Sequence, residues 1–275
     1  MSGNGESAGS RPESADGVAR HGGRPLVLVC AGHDPSGGAG VDADREAIEA
    51  CGARVRAVVT TDTDQDGVRV RGFVPRAADR WRAEAEVHME RQPHPRALKF
   101  GLLSDRAAVE AAAALARRAA RTGIPVVVDP VLAASGGERF LDGAGVRALL
   151  GALIPSGVVL TPNLHEAAEL TGRPRDALVA DSAARGRAAG ELLALGAAAV
   201  VLKDGHGTAA LVRDWVCTAG EEPLVLERPR QPGPGIHGSG CRHASALAAG
   251  LARGLGLGAA ASAAGDYLAA RISKG

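Results

Sequence analysis

Apolar residues fall along this chain in short unbroken runs, separated by stretches of helical spacing. The first run, Pro25-Leu26-Val27-Leu28-Val29-Cys30-Ala31, predicts a strand buried on both faces. A glycine-rich turn follows, then helical spacing over 41–51 and a second strand over 55–61. The alternation continues with strands at 97–102, 125–129, 157–161 and 198–203. Helices are expected at 106–121, 163–170 and 182–195. Beyond Lys203 the spacing tightens into short strands at 208–213, 214–217 and 223–227, as antiparallel pairing requires. Helices at 244–253 and 259–272, parted by Gly254, Gly256 and Gly258, complete the pattern. The expected fold is α/β: a mostly parallel central sheet with helices on both faces and a few antiparallel edge strands. Residues 24–275 read as one domain, and 1–23, small and polar without periodicity, as a disordered tail.

Composition narrows the function classes. Apolar residues make up 45% of the 275 and charged ones 23%, with 32 basic against 31 acidic. That balance, without any Lys/Arg block, argues against nucleic acid as a partner. No apolar run is long enough to span a membrane, and the first residues lack the apolar stretch of a signal peptide. Cys30, Cys51, Cys217 and Cys241 form no CxxC pair, which predicts reduced thiols and a cytoplasmic protein. Aromatic residues number three Phe, two Trp and one Tyr, so the core must be built from Ala, Val and Leu. A planar ligand would then lie between aliphatic side chains rather than aromatic rings.

In an open α/β sheet, ligands bind beyond the carboxyl ends of the strands, and five segments in that position carry candidate chemistry. Gly32-His33-Asp34-Pro35-Ser36-Gly37-Gly38-Ala39-Gly40 follows the first strand. It lacks the lysine of a phosphate loop, leaving either a tight turn or a turn that opens backbone amides to a ligand. Asp44, one helical turn on, points back toward that mouth or into solvent. The polar stretch Thr60 to Gly67 is an ordinary loop surface, or one whose Gln65 amide meets a heterocycle edge with donor and acceptor together. Asp129 ends an otherwise apolar strand and either caps the next turn or faces a cation or phosphate. Asn163 and Glu166 stand three apart at a helix start, suiting a capping box or the water shell of Mg²⁺. Finally Gly233-Pro234-Gly235-Ile236-His237-Gly238-Ser239-Gly240-Cys241 leads into an apolar helix. Free amides there make an anion hole, and a helix N-terminus favours a thiolate, moving Cys241 down from about 8.5 toward neutrality. A buried structural cysteine is the other reading.

Together these segments resemble the ribokinase-like superfamily, and within it the hydroxymethylpyrimidine/phosphomethylpyrimidine kinases of thiamine biosynthesis. Asp34-Pro35-Ser36-Gly37-Gly38-Ala39-Gly40 with Ala43-Asp44, Thr161-Pro162-Asn163 with Glu166-Ala167, and His237-Gly238-Ser239-Gly240-Cys241 carry the likeness, which runs from Leu26 to near the C-terminus. The resemblance implies phosphorylation of 4-amino-5-hydroxymethyl-2-methylpyrimidine and of its monophosphate, with ATP and Mg²⁺, by a homodimer. It places Gly32, Asp44, Gln65, Leu102 and Val131 on the pyrimidine. It places Lys203, Asn163 and Asp129 on the nucleotide, and Glu166, Asn163 and Asp129 on the metal. Gly238, Ser239 and Gly240 would form the anion hole, with Cys241 as catalytic base. Pyridoxal phosphorylation by the same fold, or pyrimidine binding without turnover, are the competing expectations. This sequence departs from the family at Ala134, where a lysine is usual nearby, and at His33, Asp62, Asp64, Asp204, Ile236 and Arg242. Arg242 could replace the missing lysine's charge beside the phosphates or point to solvent.

Overall fold

The computed structural model describes residues 23–67, 69–134, 136–205, 209–233 and 235–274. The expected tail, 1–23, lies outside them except for Gly23, as does Thr208 at the start of one expected strand. In chain order the elements are β1 (Leu26–His33), α1 (Gly40–Ala50), β2 (Arg54–Gln65), β3 (Val70–Pro75), α2 (Ala78–Glu90), β4 (Ala97–Phe100) and α3 (Arg106–Arg121). Next come β5 (Val126–Val128), α4 (Gly143–Ala148), β6 (Val159–Leu160), α5 (Leu164–Thr171), α6 (Arg175–Ala180) and α7 (Ser182–Ala194). The last are β7 (Ala199–Leu202), β8 (Leu211–Thr218), β9 (Leu224–Pro229), α8 (Ser239–Ala252) and α9 (Leu257–Ile272).

The strands form one sheet in the order β3-β2-β1-β4-β5-β6-β7-β8-β9. Pairing is parallel from β2 through β7 and antiparallel at both margins, where β3 joins β2 and β8 and β9 follow β7. Successive strand residues point to opposite faces. Leu28, Cys30, Leu98, Phe100, Val126 and Val128 accordingly face the layer of α2, α3 and α7, while Val27, Val29, Ala97 and Val127 face that of α1, α8 and α9. Both faces are buried, which is why the strands read as unbroken apolar runs. Ala108, Ala112, Ala116 and Ala119 on α3, and Ala244, Ala248 and Ala249 on α8, are fully covered. Small side chains thus bring helices close to the sheet where large aromatic residues are missing.

Several elements differ from expectation. The polar stretch after the second strand remains strand: β2 runs to Gln65 and turns back as β3. Its outward carboxylates are held across that hairpin, Asp62 by Arg76 at 2.7 Å and Asp64 by Arg71 at 3.4 Å, so a loop-like composition pairs as a ribbon. α2 was not anticipated, although Trp81, Ala85 and Met89, spaced by four, make its buried stripe. Neither α4 nor α6, each six residues long, was read from the sequence. β8 is one strand where two were expected. α8 begins at Ser239 rather than Ala244, which puts Ser239, Gly240 and Cys241 within its first turn.

Candidate active site

The turn after β1 and the start of α8 pack backbone against backbone. Gly238 has φ +72°, and a Cβ there would lie 2.4 Å from the carbonyl oxygen of Gly38. Gly40, at φ +61°, would place one 2.2 Å from the oxygen of Gly32. Only glycine is tolerated at either position. Asp34 ties the contact together, accepting from Ser36 N, Ser36 Oγ and Ala39 N at 2.8–2.9 Å, and lying 2.9 Å from His237 Nε2. Burial opposes its charge, but these hydrogen bonds prevail and hold the carboxyl below the usual carboxylate range. Sequence reasoning passed over Asp34 and His237 as site-forming residues, though both stand inside the motifs it singled out.

Two cavities meet at this junction. One, of about 140 Å³, is lined by Gly32, Gln65, Leu102, Val131, Glu166 and Cys241, among others. The second, of about 320 Å³, opens between β8, β9, α8 and α9, with Asp214, Arg228, His243 and Leu268 in its wall. Asn163, Lys203, Ser239 and Gly240 belong to both. Of the second cavity's wall, Asn163, Lys203, Gly233, Gly235, Ser239 and Gly240 stand in segments singled out by sequence, while β8, β9 and α9 contribute residues without a motif.

The structure places the expected residues as follows. Gln65 is half-buried in the smaller cavity, its Nε2 donating to Thr63 Oγ1 at 3.0 Å. Asn163 and Glu166 form the capping box of α5: Asn163 Oδ1 accepts from the amides of His165 and Glu166, and Glu166 Oε2 accepts from Asn163 N at 2.8 Å. Both also face the smaller cavity. Burial pushes the Glu166 carboxyl up to about 8, with Lys203 opposing and Asp129 adding to the shift. Lys203 donates to Asp129 at 2.8 Å, and against the cost of burial Lys203 and Lys99 keep Asp129 ionised. Asp44 does not line either cavity. It has no exposed surface, pairs with Lys99 Nζ at 2.8 and 2.9 Å and accepts from Ser245, so it neither reaches a ligand mouth nor meets solvent.

Cys241 receives the amide of Gly40, yet its thiol moves opposite to expectation. Burial pushes it up to about 11, with Lys99 pulling down and Asp129 and Asp44 pushing further up. Desolvation and two neighbouring carboxylates outweigh the helix N-terminus. Arg242 likewise takes neither expected course. It is buried, donating to the carbonyl oxygens of Gly38 at 2.6 Å and His237 at 2.7 Å, and to Glu46 at 2.7 Å. Among the other departures, Ala134 lines the smaller cavity, His33 Nδ1 lies 3.7 Å from Asp62, and Asp204 pairs with Arg185 at 3.2 Å. Ile236 borders a separate outer hollow with Gln231 and Ile272.

Oxygen donors at Asp129, Asn163 and Glu166 beside a buried ammonium fit a magnesium ion that takes its remaining ligands from phosphate and water. No cluster of three or more His, Cys, Asp or Glu able to enclose a metal by itself occurs among the described residues. No helix among them is long and apolar enough to cross a membrane.

A hydroxymethylpyrimidine/phosphomethylpyrimidine kinase of Streptomyces coelicolor is 36% identical over 253 residues, covering 91% of this chain and 90% of the relative. A phosphomethylpyrimidine kinase structure from Clostridium difficile superposes with a TM-score of 0.75 at 26% identity, over 90% of this chain and 100% of that one. The pyridoxal kinase of Bacillus subtilis, solved as an ADP complex, gives 0.77 at 28% identity over 91% and 92%. Residues 34–275 match the family described as phosphomethylpyrimidine kinase, and the chain belongs to that family.

Proposed function

We propose that the protein transfers the γ-phosphoryl group of ATP to the hydroxymethyl oxygen of 4-amino-5-hydroxymethyl-2-methylpyrimidine, and then to its monophosphate, in thiamine diphosphate biosynthesis. The observation that carries this reading is the shared wall. A phosphate donor in the larger cavity and a small planar acceptor in the smaller one would meet at Asn163, Lys203, Ser239 and Gly240.

The pyrimidine lies between Leu102 and Val131, over Gly32, with the Gln65 amide at its edge. Asp44 acts at one remove, holding Lys99 in place beneath Cys241. The acceptor hydroxyl oxygen bonds to the γ-phosphorus as the bond to the bridging oxygen breaks, and ADP leaves with the electron pair. Amides of Gly238 and Gly240 at the start of α8 stabilise the charge on the transferring group, whereas the Ser239 amide, expected to be free, donates to the Ile236 carbonyl oxygen at 3.3 Å. Transfer is loose, so the hydroxyl proton leaves late. Its acceptor is the Cys241 thiolate, a minor form at neutral pH given a thiol near 11. Lys203 neutralises phosphate charge next to Asp129. Asp129, Glu166 and Asn163 would hold Mg²⁺, which would supply further neutralisation. The reaction belongs in the cytoplasm, with a homodimer as the expected assembly.

The test is ADP release with the pyrimidine, its monophosphate and pyridoxal as competing acceptors. Turnover with the pyrimidine well above pyridoxal is expected. Preference for pyridoxal, whose kinase in Bacillus subtilis shares the fold, would overturn the substrate assignment. Binding of the pyrimidine without ADP release would overturn the activity.

A further inference from the structure

The larger cavity carries polar groups that the mechanism leaves unused. His243, on α8 one turn past Ser239 and Gly240, lines it and is 2% exposed, yet neither ring nitrogen has a hydrogen-bond partner. Its Nε2 lies 3.8 Å from Asp214 Oδ2, beyond hydrogen-bond reach. Arg228 lines the same wall. Its Nη1 donates to Asp214 Oδ2 at 2.5 Å, while its Nε, 4.0 Å from the exposed Asp266 carboxylate, is also without a hydrogen bond. The guanidinium fits because α9 carries Gly265 beside it, where any Cβ would collide with it.

A buried polar atom left unpaired forfeits the hydrogen bonds that water gave it in the unfolded chain. Three of them in one cavity wall therefore point to a ligand that completes them. The cavity has an order that identifies which part of a ligand this is. His243 stands one helical turn from the anion-hole residues. Arg228 packs at Gly265, one turn before Leu268 and Ala269, which with Ile272 make an apolar end. Asp214 joins the two. A ribonucleoside triphosphate presents phosphate, sugar hydroxyls and planar base in that same order.

We propose that His243 and Arg228, braced on Asp214, form a polar subsite that holds the ribose hydroxyls of the phosphate donor. The subsite rests on the assignment of this cavity to the donor. A neutral imidazole has one N–H donor and one acceptor nitrogen, matching a hydroxyl that also does both. Burial keeps it neutral, drawing His243 down to about 4.

The test is calorimetric titration of the full-length protein with ADP and with 2′,3′-dideoxy-ADP. Wild type is expected to bind ADP about tenfold more tightly, the equivalent of one to two hydrogen bonds. His243→Leu should bring the two affinities to within about twofold, and His243→Gln, which keeps a donor and an acceptor, should retain part of the preference. Equal affinities in wild type, or an unchanged preference in His243→Leu, would overturn the subsite while leaving the donor cavity in place. Should His243→Leu fail to fold, the wild-type ratio and His243→Gln decide. Failure to bind either nucleotide would instead sink the donor-cavity assignment, and the subsite with it.

Discussion

Two lysine–aspartate pairs lie near the carboxyl edge of the sheet, Lys99 of β4 with Asp44 of α1 and Lys203 after β7 with Asp129 after β5, each closed at 2.8 Å, and they differ in access. Lys99 with Asp44 is wholly enclosed, both side chains at 0% exposure, with Ser245 as a further donor. Lys203 with Asp129 retains a sliver of surface on the two cavities, and Gly240 leaves the space beside it open, a Cβ there lying 3.4 Å from Lys203 Nζ. The chemical groups are the same, but access differs. An ion pair sealed from ligand can only shape the field of its surroundings, which for Lys99 includes Cys241. One with an open side can exchange part of its pairing for phosphate.

The contrast breaks most readily at the sealed pair. Asp44→Asn leaves an ammonium buried without its counter-charge and should cost about 3–5 kcal/mol of stability in urea denaturation. Replacing both partners with apolar residues should recover most of that loss. If Asp44→Asn instead left stability intact and abolished turnover, the division between the pairs would be wrong. At the open pair, Asp129→Asn and Lys203→Met should lower kcat by about 10²–10³-fold, the usual effect of removing a group that stabilises transferring charge. Steady-state rates normalised to folded protein measure this.

Cys241 lies within the field of both pairs, and its pH dependence sharpens the comparison. A thiol near 11 is mostly protonated at neutral pH, so its base form grows with every rise in pH below that value. kcat should climb about tenfold per pH unit from about pH 7 into the alkaline range, and Cys241→Ala should flatten the profile and lose about 10²-fold. A flat wild-type profile would remove the thiol from proton transfer. The smallest effect belongs to a third kind of pair. Asp62 and Arg76 are bidentate but nearly half exposed. Asp62→Ala should shift stability by less than about 1 kcal/mol in thermal melts, and a larger loss would mean that the β2–β3 hairpin matters more to folding than its exposure indicates.

How far the sequence could be read depends on whether a feature was local. α3 was expected at 106–121 and occupies Arg106–Arg121, because its cap is a near neighbour: Asp105 accepts from Ala108 N at 2.7 Å. The capping box at Asn163 and Glu166 was legible for the same reason. The hairpin of β2 and β3 was not, since its carboxylates make sense only opposite Arg71 on the returning strand and Arg76 just past its end. Arg242 was unreadable in principle, as its partners are the carbonyls of Gly38 and His237 and the carboxylate of Glu46. The larger cavity fell to the same difficulty in part, drawing much of its wall from β8, β9 and α9, which carry no motif.

By itself, the sequence determined the strand runs, the helix caps and the glycines that let two backbones touch, because these follow from each residue's own conformational limits and immediate neighbours. Only the tertiary structure decided which charges are sealed and which face a cavity, and whether Cys241 is thiol or thiolate. Desolvation and Coulomb interaction are set by whatever the fold packs around a group, and those neighbours stand tens to hundreds of residues away along the chain.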